Sequence, residues 1–231
     1  MDKKTILMSP ADSKIYEFFE RQFNVICTDC LEDFIPYERY HADMQALKIK
    51  DKLFINAKCK KLINKLTELG INYIICEGIG NNYPNNVALN AALIGNKLLC
   101  NEKALHPLIK DYCNSSGIDI VHVKQGYTKC STLVIDENSI ITDDESIHKS
   151  AVKAGIDVLL IKKGDIFLNE NNYGFIGGAS VVIGKTVYFF GSINTHQDYD
   201  KLKGFILKKN MNIECTGTQR LIDIGGIIIL D

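Results

Sequence analysis

Residues 70–75, which read GINYII, place an apolar residue and an asparagine directly before a short apolar strand. The same order, with Asn or Asp in second place, occurs five times along the chain. Successive copies are 38 to 55 residues apart. A period of this length indicates that one supersecondary unit is used repeatedly. The Asn and Asp positions are Asn24, Asn72, Asp119, Asp157 and Asn212.

A helix is predicted before each of these strands. Gly70, Gly117, Gly155 and Asn210 stand just before four of the five copies. Gly and Asn are the residues that most readily adopt the left-handed conformation that closes a helix. The predicted helices cover residues 11–21, 57–69, 107–115, 144–154 and 197–209.

A hairpin is predicted before each helix, because two short apolar arms flank a short polar turn in each unit. Turns of two or three residues are typical of tight hairpins. Four of the turns are residues 50–51, 95–96, 136–138 and 184–185.

The fifth hairpin is divided between the two ends of the chain, so that residues 227–230 are predicted to pair with residues 5–8. One unit alone could not bury its apolar face, whereas a ring of five could. The sequence therefore predicts a single α/β domain over residues 1–231. Its fold is a five-bladed β/α propeller, a pseudo-fivefold repeat of strand–strand–helix–strand units closed by pairing of the termini.

Polar residues are concentrated on one face of the first arm in three of the hairpins. Side chains alternate between the two faces of a strand. Counted back from the turns, one face is apolar or small and is predicted to pack under the helices, and Cys130 belongs to it. The other face is predicted to line the central channel, and Glu77 is predicted to lie in a loop at its mouth. The channel candidates are His41, Asp43, Gln45, Asn86, Asn90, Tyr127, Lys129 and Ser131.

The composition limits the kinds of partner. The 27 Lys and Arg nearly balance the 28 Asp and Glu, for a net charge of −1, so a nucleic-acid partner is not expected. The start of the chain lacks a long apolar segment, and no run is long enough to span a bilayer. Without a secretory signal, the eight cysteines are expected to be reduced in the cytoplasm. We expect no cofactor and no metal, and the sequence does not fix the oligomeric state.

The ring of five units, the His-x-Asp of His41 and Asp43, and the segment FIGGASVVIGKTVYFFGSINTH at residues 175–196 together resemble the pentein superfamily of guanidine-modifying enzymes. This superfamily includes arginine deiminase, agmatine deiminase and the amidinotransferases. The resemblance implies the pentein fold and a guanidino or amino-acid-like ligand. In these enzymes a cysteine attacks the guanidinium carbon, a histidine moves protons and carboxylates hold the guanidinium nitrogens.

The chain departs from this pattern in three places. The Gly-rich segment at residues 223–229 lacks the cysteine of the last blade. Residues 176–179 read IGGA where the family has Glu-Gly-Gly-Asp. The His-x-Asp pair lies in the first blade, whereas the deiminases carry it in the fourth.

Three functions remain open. The first is binding of a small polar ligand in the channel without the family's cysteine chemistry. The second is an active amidinohydrolase or amidinotransferase that uses Cys130 with His41. The third is a non-enzymatic interaction protein, like the ribosome anti-association factor that shares the fold. The candidate catalytic residues are His41, Asp43 and Cys130, and the candidate ligand-binding residues are Asn86, Asn90, Lys129, Gln45 and Glu77.

Overall fold

The computed structural model describes residues 3–169 and 173–231. Fifteen strands are found within these ranges, and each has only three to five residues. In chain order they are β1 (Thr5–Met8), β2 (Asn24–Cys27), β3 (Ala46–Ile49), β4 (Lys52–Asn56), β5 (Ile74–Cys76), β6 (Ala92–Ile94), β7 (Lys97–Cys100), β8 (Asp119–His122), β9 (Thr132–Asp136), β10 (Ser139–Thr142), β11 (Asp157–Leu160), β12 (Ser180–Ile183), β13 (Thr186–Phe189), β14 (Asn212–Cys215) and β15 (Ile227–Ile229).

The strands form five sheets of three strands with one shared topology, which confirms the predicted unit. Blades 1 to 4 are β3–β4–β5, β6–β7–β8, β9–β10–β11 and β12–β13–β14. Blade 5 is β15–β1–β2. In every blade the middle strand pairs antiparallel with the first strand and parallel with the third.

The first strands of the blades form the inner wall of the ring. Contacts join β6 to β9, β9 to β12, β12 to β15 and β15 to β3. Blade 5 is closed by the two ends of the chain, where Ile6 lies opposite Ile229 and Met8 lies opposite Ile227. The predicted pairing of the termini is therefore confirmed.

Five helices cover the outside of the ring, and each buries two residues one turn apart, such as Ile15 and Phe19 or Leu62 and Leu66. A spacing of four places both side chains on one helix face. The four predicted helix-closing residues all have positive φ, between 56° and 78°. No described helix is long and apolar enough to cross a membrane. These five helices are α1 (Ser13–Glu20), α3 (Lys60–Glu68), α4 (Pro107–Ser115), α5 (Glu145–Lys153) and α6 (Tyr199–Lys208), and a sixth, short helix, α2 (Ala42–Gln45), directly precedes β3.

The short helix α2 is a correction, because its residues were predicted to continue the strand β3. Comparable turns precede the first strands of blades 2 to 4, and an irregular segment precedes that of blade 5. We call all five segments the approach loops. Each first strand begins opposite the end of its middle strand. The backbone beyond that point has no strand partner, so its hydrogen bonds are satisfied within a turn or, in blade 5, by neighbouring segments. The Met44 amide donates to the His41 carbonyl, for example, and Ser131 donates to Tyr127. The approach loops are residues 41–45, 85–90, 127–131, 175–179 and 223–226.

The ring has two ends with different contents. The approach loops meet at one end, which we call the loop mouth. The hairpin turns meet at the other, the hairpin mouth, where strand residues line a cavity of about 610 Å³. Candidate site residues of the approach loops therefore come together at the loop mouth.

Candidate functional site

His41, Asp43 and Cys130 meet at the loop mouth. The Cys130 thiol donates a hydrogen bond to Asp43 Oδ2 at 2.8 Å, and His41 Nδ1 lies 4.0 Å from Asp43 Oδ1. One donor atom from each of the three residues lies within 4.8 Å of the others, and all three side chains are buried. The approach loops of blades 1 and 3 thus bring together an imidazole, a carboxyl and a thiol.

Gly225 allows the approach loop of blade 5 to pack against this group. Its carbonyl accepts a hydrogen bond from the Asp43 amide at 3.2 Å. Its φ is 79°, and a Cβ at this position would overlap the Cβ of His41. Only glycine combines this backbone conformation with such a close contact, so Gly225 fixes the position of the His41 backbone.

Asn90 holds the turn that carries Cys130. Its Oδ1 accepts hydrogen bonds from the amides of Lys129 at 2.7 Å and Cys130 at 3.2 Å. Its Nδ2 lies 3.1 Å from Cys130 Sγ and 3.4 Å from the Asp43 carbonyl oxygen. Because Asn90 is buried, it acts as a rigid bridge between the approach loops of blades 1 and 3.

A second polar group lies beside the first. Asn86 Nδ2 donates to Glu38 Oε2 at 2.9 Å and lies 3.2 Å from the Tyr127 hydroxyl. Glu38 is buried at the end of a short 3₁₀ helix, Pro36–Glu38. The Tyr127 ring stacks between those of Tyr83 and Phe175, with centroids 5.9 Å and 6.1 Å away. This stack forms an aromatic wall next to a buried carboxyl.

Asp223 supplies a third buried carboxyl. Its Oδ2 accepts from the Phe175 amide at 2.8 Å and its Oδ1 from the Gly225 amide at 2.9 Å. Gly178 packs so closely against this carboxyl that a Cβ there would overlap it. Asp223 therefore joins the approach loops of blades 4 and 5 and lines the same site.

A cavity of about 90 Å³ lies between these groups. It shares four lining residues with a neighbouring cavity of about 290 Å³. Together they reach the lower end of the roughly 300–1,000 Å³ range of small-molecule sites. The smaller cavity is lined by Tyr37, Glu38, His41, Tyr127, Cys130, Leu168, Phe175 and Asp223.

The site favours cations over anions. Burial raises the pKa of the Asp43 carboxyl to about 6, although His41 and Cys130 oppose this rise. Burial, followed by the charges of Asp43 and Asp223, raises the pKa of the Cys130 thiol well above its ordinary value. At neutral pH Cys130 is therefore a thiol that donates to Asp43. A cation in the cavity would offset the acidic groups and lower the pKa of the thiol.

Five of the eight predicted channel residues lie in or beside this site: His41, Asp43, Asn86, Asn90 and Tyr127. The prediction that Cys130 faces the apolar side was wrong, because residues 127–131 form a turn in which strand alternation does not apply. All eight cysteines are free, and Cys130 is the one whose sulfur contacts Asp43.

The other three predicted binding residues lie elsewhere. Gln45 is fully buried and bonds the backbone of Asp29, with its Oε1 2.9 Å from the amide and its Nε2 2.6 Å from the carbonyl oxygen. Lys129 lines the cavity of the hairpin mouth. Glu77 is exposed in its loop, where its carbonyl oxygen lies 2.9 Å from His106 Nε2. Gln45 lies two residues after Asp43 in the helix α2, so the two side chains point in different directions. The prediction that Gln45 shares the face of Asp43 assumed a strand and was therefore wrong.

Glu38 and Asp223 were not among the candidates. Glu38 belongs to no repeated position, and only its place three residues before His41 links it to the motif. Asp223 lies two residues before the pair Gly225–Gly226. An acidic residue close to a glycine pair was the sequence feature that could have identified it as a site residue. Both carboxyls occupy the site although the family's Glu-Gly-Gly-Asp is absent from residues 176–179.

Solved structures of guanidine-modifying enzymes are similar to this chain over nearly its whole length. The amidinotransferase SxtG from Microseira wollei has a TM-score of 0.62 at 8% identity, covering 100% of this chain and 94% of its own. DDAH from Pseudomonas aeruginosa has a TM-score of 0.57 at 10% identity, covering 94% and 93%. Agmatine deiminase from C. jejuni has a TM-score of 0.54 at 13% identity, covering 94% and 88%. These likenesses confirm the pentein fold.

The comparison with curated proteins gave no match. The sequence matches the family of unknown function DUF6873 over residues 8–228, which is nearly the full chain. The protein therefore belongs to the family of unknown function DUF6873 and has the pentein fold of the guanidine-modifying enzymes.

Proposed function

We propose that this protein binds the planar cationic end of a small guanidino or amino-acid-like compound at the loop mouth. The observation that carries the proposal is a group of three buried carboxyls: Glu38 and Asp223 line an aromatic-walled cavity, and Asp43 lies behind its wall in contact with Cys130. A guanidinium ion presents several N–H donors in one plane and pairs well with carboxylates. Its face is also attracted to aromatic rings such as those of Tyr127 and Phe175.

The two cavities suit a ligand with a small charged head and a longer tail. The inner cavity of about 90 Å³ holds a group of a few heavy atoms, and the outer cavity of about 290 Å³ holds the rest of a small molecule. Two proteins of similar fold support the proposed class of ligand. DDAH was solved in complex with citrulline, and agmatine deiminase is named for its substrate. No nucleic-acid partner is proposed.

Binding of arginine and citrulline, measured by titration calorimetry, tests the proposal. The two compounds differ at the planar end, which is charged in arginine and neutral in citrulline. We expect arginine to bind more tightly, and Glu38→Gln to weaken arginine binding roughly 10- to 100-fold, because a charged hydrogen bond is lost. Glu77→Gln is the matched control and should have no effect. Equal affinity for both compounds in the wild type would contradict the proposal.

A second candidate function is hydrolysis or group transfer by Cys130, and the position of its sulfur in the cavity wall favours it. Thiolate sulfur would bond to the guanidinium carbon, and His41 would give a proton to the departing amine as the C–N bond breaks. Water would then displace the sulfur, which leaves a ureido product and regenerates the thiol. The bound cation would lower the thiol pKa and so promote the first step.

Ammonia and citrulline release from arginine measures this second function. Activity in the wild type that is lost in Cys130→Ser and retained in Cys113→Ser would support it, because Cys113 is buried in α4 away from the loop mouth. Activity retained in Cys130→Ser would exclude Cys130 as the nucleophile. If the wild type binds arginine without releasing product, the binding function stands alone.

A further inference from the structure

The group of His41, Asp43 and Cys130 offers three different ligand atoms to a single point. Imidazole nitrogen, carboxylate oxygen and sulfur lie within 4.8 Å of one another, and each comes from a buried side chain. Bond lengths of about 2.0–2.3 Å place the ligand atoms of a tetrahedral zinc site roughly 3–4 Å apart. The observed spacing therefore needs only small side-chain rotations to reach that geometry.

Asp43 Oδ1 is an independent sign of a missing partner. Asp43 is 2% exposed, and this oxygen lacks a hydrogen bond from any described residue. His41 Nδ1 lies 4.0 Å from it, which is too far for a hydrogen bond. A buried carboxylate oxygen without a partner carries a substantial free-energy cost, and a bound cation would remove it.

We propose that His41, Asp43 and Cys130 bind a divalent zinc ion. The ligand set selects the metal, because sulfur and imidazole suit Zn²⁺ while Mg²⁺ and Ca²⁺ prefer oxygen ligands alone. On binding, Cys130 gives up its thiol proton to solvent as the Zn–S bond forms. His41 and Cys130 both line the inner cavity, which provides a path of access and leaves a fourth position for a small ligand.

This inference does not depend on the proposed function, although both use Asp43. Glu38 and Asp223 take part in guanidinium binding but supply no ligand to the metal, whereas the metal site needs Cys130, which guanidinium binding does not. Zinc titration without any organic compound therefore tests the metal site alone, and arginine titration in the presence of a chelator tests the binding function alone.

The experiment is a titration of the reduced, metal-free wild-type protein with Zn²⁺ and a parallel titration of the same protein with Co²⁺. We expect one tight site and a near-ultraviolet sulfur-to-cobalt charge-transfer band. Cys130→Ser should abolish the band, and Asp43→Asn should weaken Zn²⁺ binding by more than about 100-fold, since even outer-shell partners are worth about 10- to 100-fold.

Two control variants identify the thiol. The exposed pair Cys27 and Cys30 could bind metal on its own, and the double variant Cys27→Ser/Cys30→Ser should leave the site and the band unchanged. Glu38→Gln should change zinc affinity far less than Asp43→Asn. Absence of tight zinc binding in the wild type would overturn the proposal. So would a band that persists in Cys130→Ser and disappears in the Cys27/Cys30 variant.

Discussion

The two mouths of the ring are built from the same five inner strands, yet they hold opposite chemistry. The loop mouth gathers the carboxyls of Glu38, Asp43 and Asp223 with a thiol and an imidazole. The hairpin mouth has apolar strand residues and four lysines, Lys4, Lys48, Lys50 and Lys129, with three acids at its rim.

The difference follows from the backbone. At the hairpin mouth the chain is in regular strands, so alternate residues must be apolar and the polar groups are flexible side chains at the rim. At the loop mouth the chain has left the sheet. Its turns can aim neighbouring side chains, such as Lys129 and Cys130, at different places. Chemistry that needs fixed polar groups is therefore concentrated where the strands end.

The largest contrast between the mouths is expected for glycine substitutions. Gly225→Ala combines a positive φ with overlap of His41, so we expect a loss of about 3–5 kcal/mol in the free energy of unfolding. Gly184→Ala, in a hairpin turn with φ 63° and open space around it, should cost about 1–2 kcal/mol. Urea unfolding measures both, and equal losses would show that the approach loops are not closely packed.

A smaller contrast is expected for asparagines. Asn90→Ala leaves the buried amide of Cys130 and the partly buried amide of Lys129 without their acceptor, which should cost about 2–3 kcal/mol. Asn96→Ala at the hairpin mouth removes bonds to Gly117 and Lys50 that lie at the surface, and we expect about 0.5–1 kcal/mol. Circular dichroism during denaturation gives both values. A loss below 1 kcal/mol for Asn90→Ala would mean that water replaces its side chain.

The pH dependence of stability should have opposite sign at the two mouths. The pKa of Asp43 is raised to about 6 when folded, against about 4 when unfolded. Its contribution to stability is therefore complete below pH 4 and is lost as the pH rises through 6, by on the order of 1–3 kcal/mol. Asp51, near the hairpin mouth, has a pKa lowered by its hydrogen bonds to Lys52 and Tyr112, so its contribution is lost as the pH falls.

Thermal unfolding between pH 4 and pH 8 measures these two contributions. Asp43→Asn should remove part of the decline in stability between pH 4 and pH 7, whereas Asp51→Asn should change only the acidic end. Identical pH profiles for the wild type and Asp43→Asn would show that Asp43 is well solvated.

The smallest effect is expected for Lys129, which belongs to an approach loop but lines the cavity of the hairpin mouth, and whose charge acts on Asp43. Lys129→Gln removes a positive charge from the neighbourhood of the acidic site. Arginine affinity should therefore rise, by no more than about tenfold since a distant charge is partly screened. Calorimetric titration gives the change. A loss of binding in Lys129→Gln would indicate that Lys129 contacts the ligand directly.

The fold could be predicted because its determinants are local and repeated. Residues such as Gly70 and Asn210 close helices wherever they occur, and short apolar arms around tight turns form hairpins regardless of their neighbours. The site could be predicted only in part. His41, Asp43, Asn86 and Asn90 were found from their polar character near strand ends, and the turn geometry decided the rest.

Cys130 and Gln45 show why the remainder could not be read from the sequence. Both lie in approach loops, where the side-chain direction depends on hydrogen bonds from distant residues. Cys130 is turned inward by Asn90, which is 40 residues away. Gln45 is drawn to the backbone of Asp29. Such contacts leave no periodic pattern in the sequence. Asp223 belongs to blade 5, so it reaches the site only because the two ends of the chain pair and close the ring.

The contact between Asp43 and Cys130 is the most direct test of the whole account, and a double-mutant cycle measures it. Asp43→Asn, Cys130→Ala and the double variant are compared by urea unfolding, with Asp43→Asn and Cys113→Ala as the control pair. We expect a coupling energy of about 1–3 kcal/mol for Asp43 with Cys130 and additive effects for the control. Additivity within about 0.5 kcal/mol for Asp43 and Cys130 would contradict the convergence of the approach loops at one site.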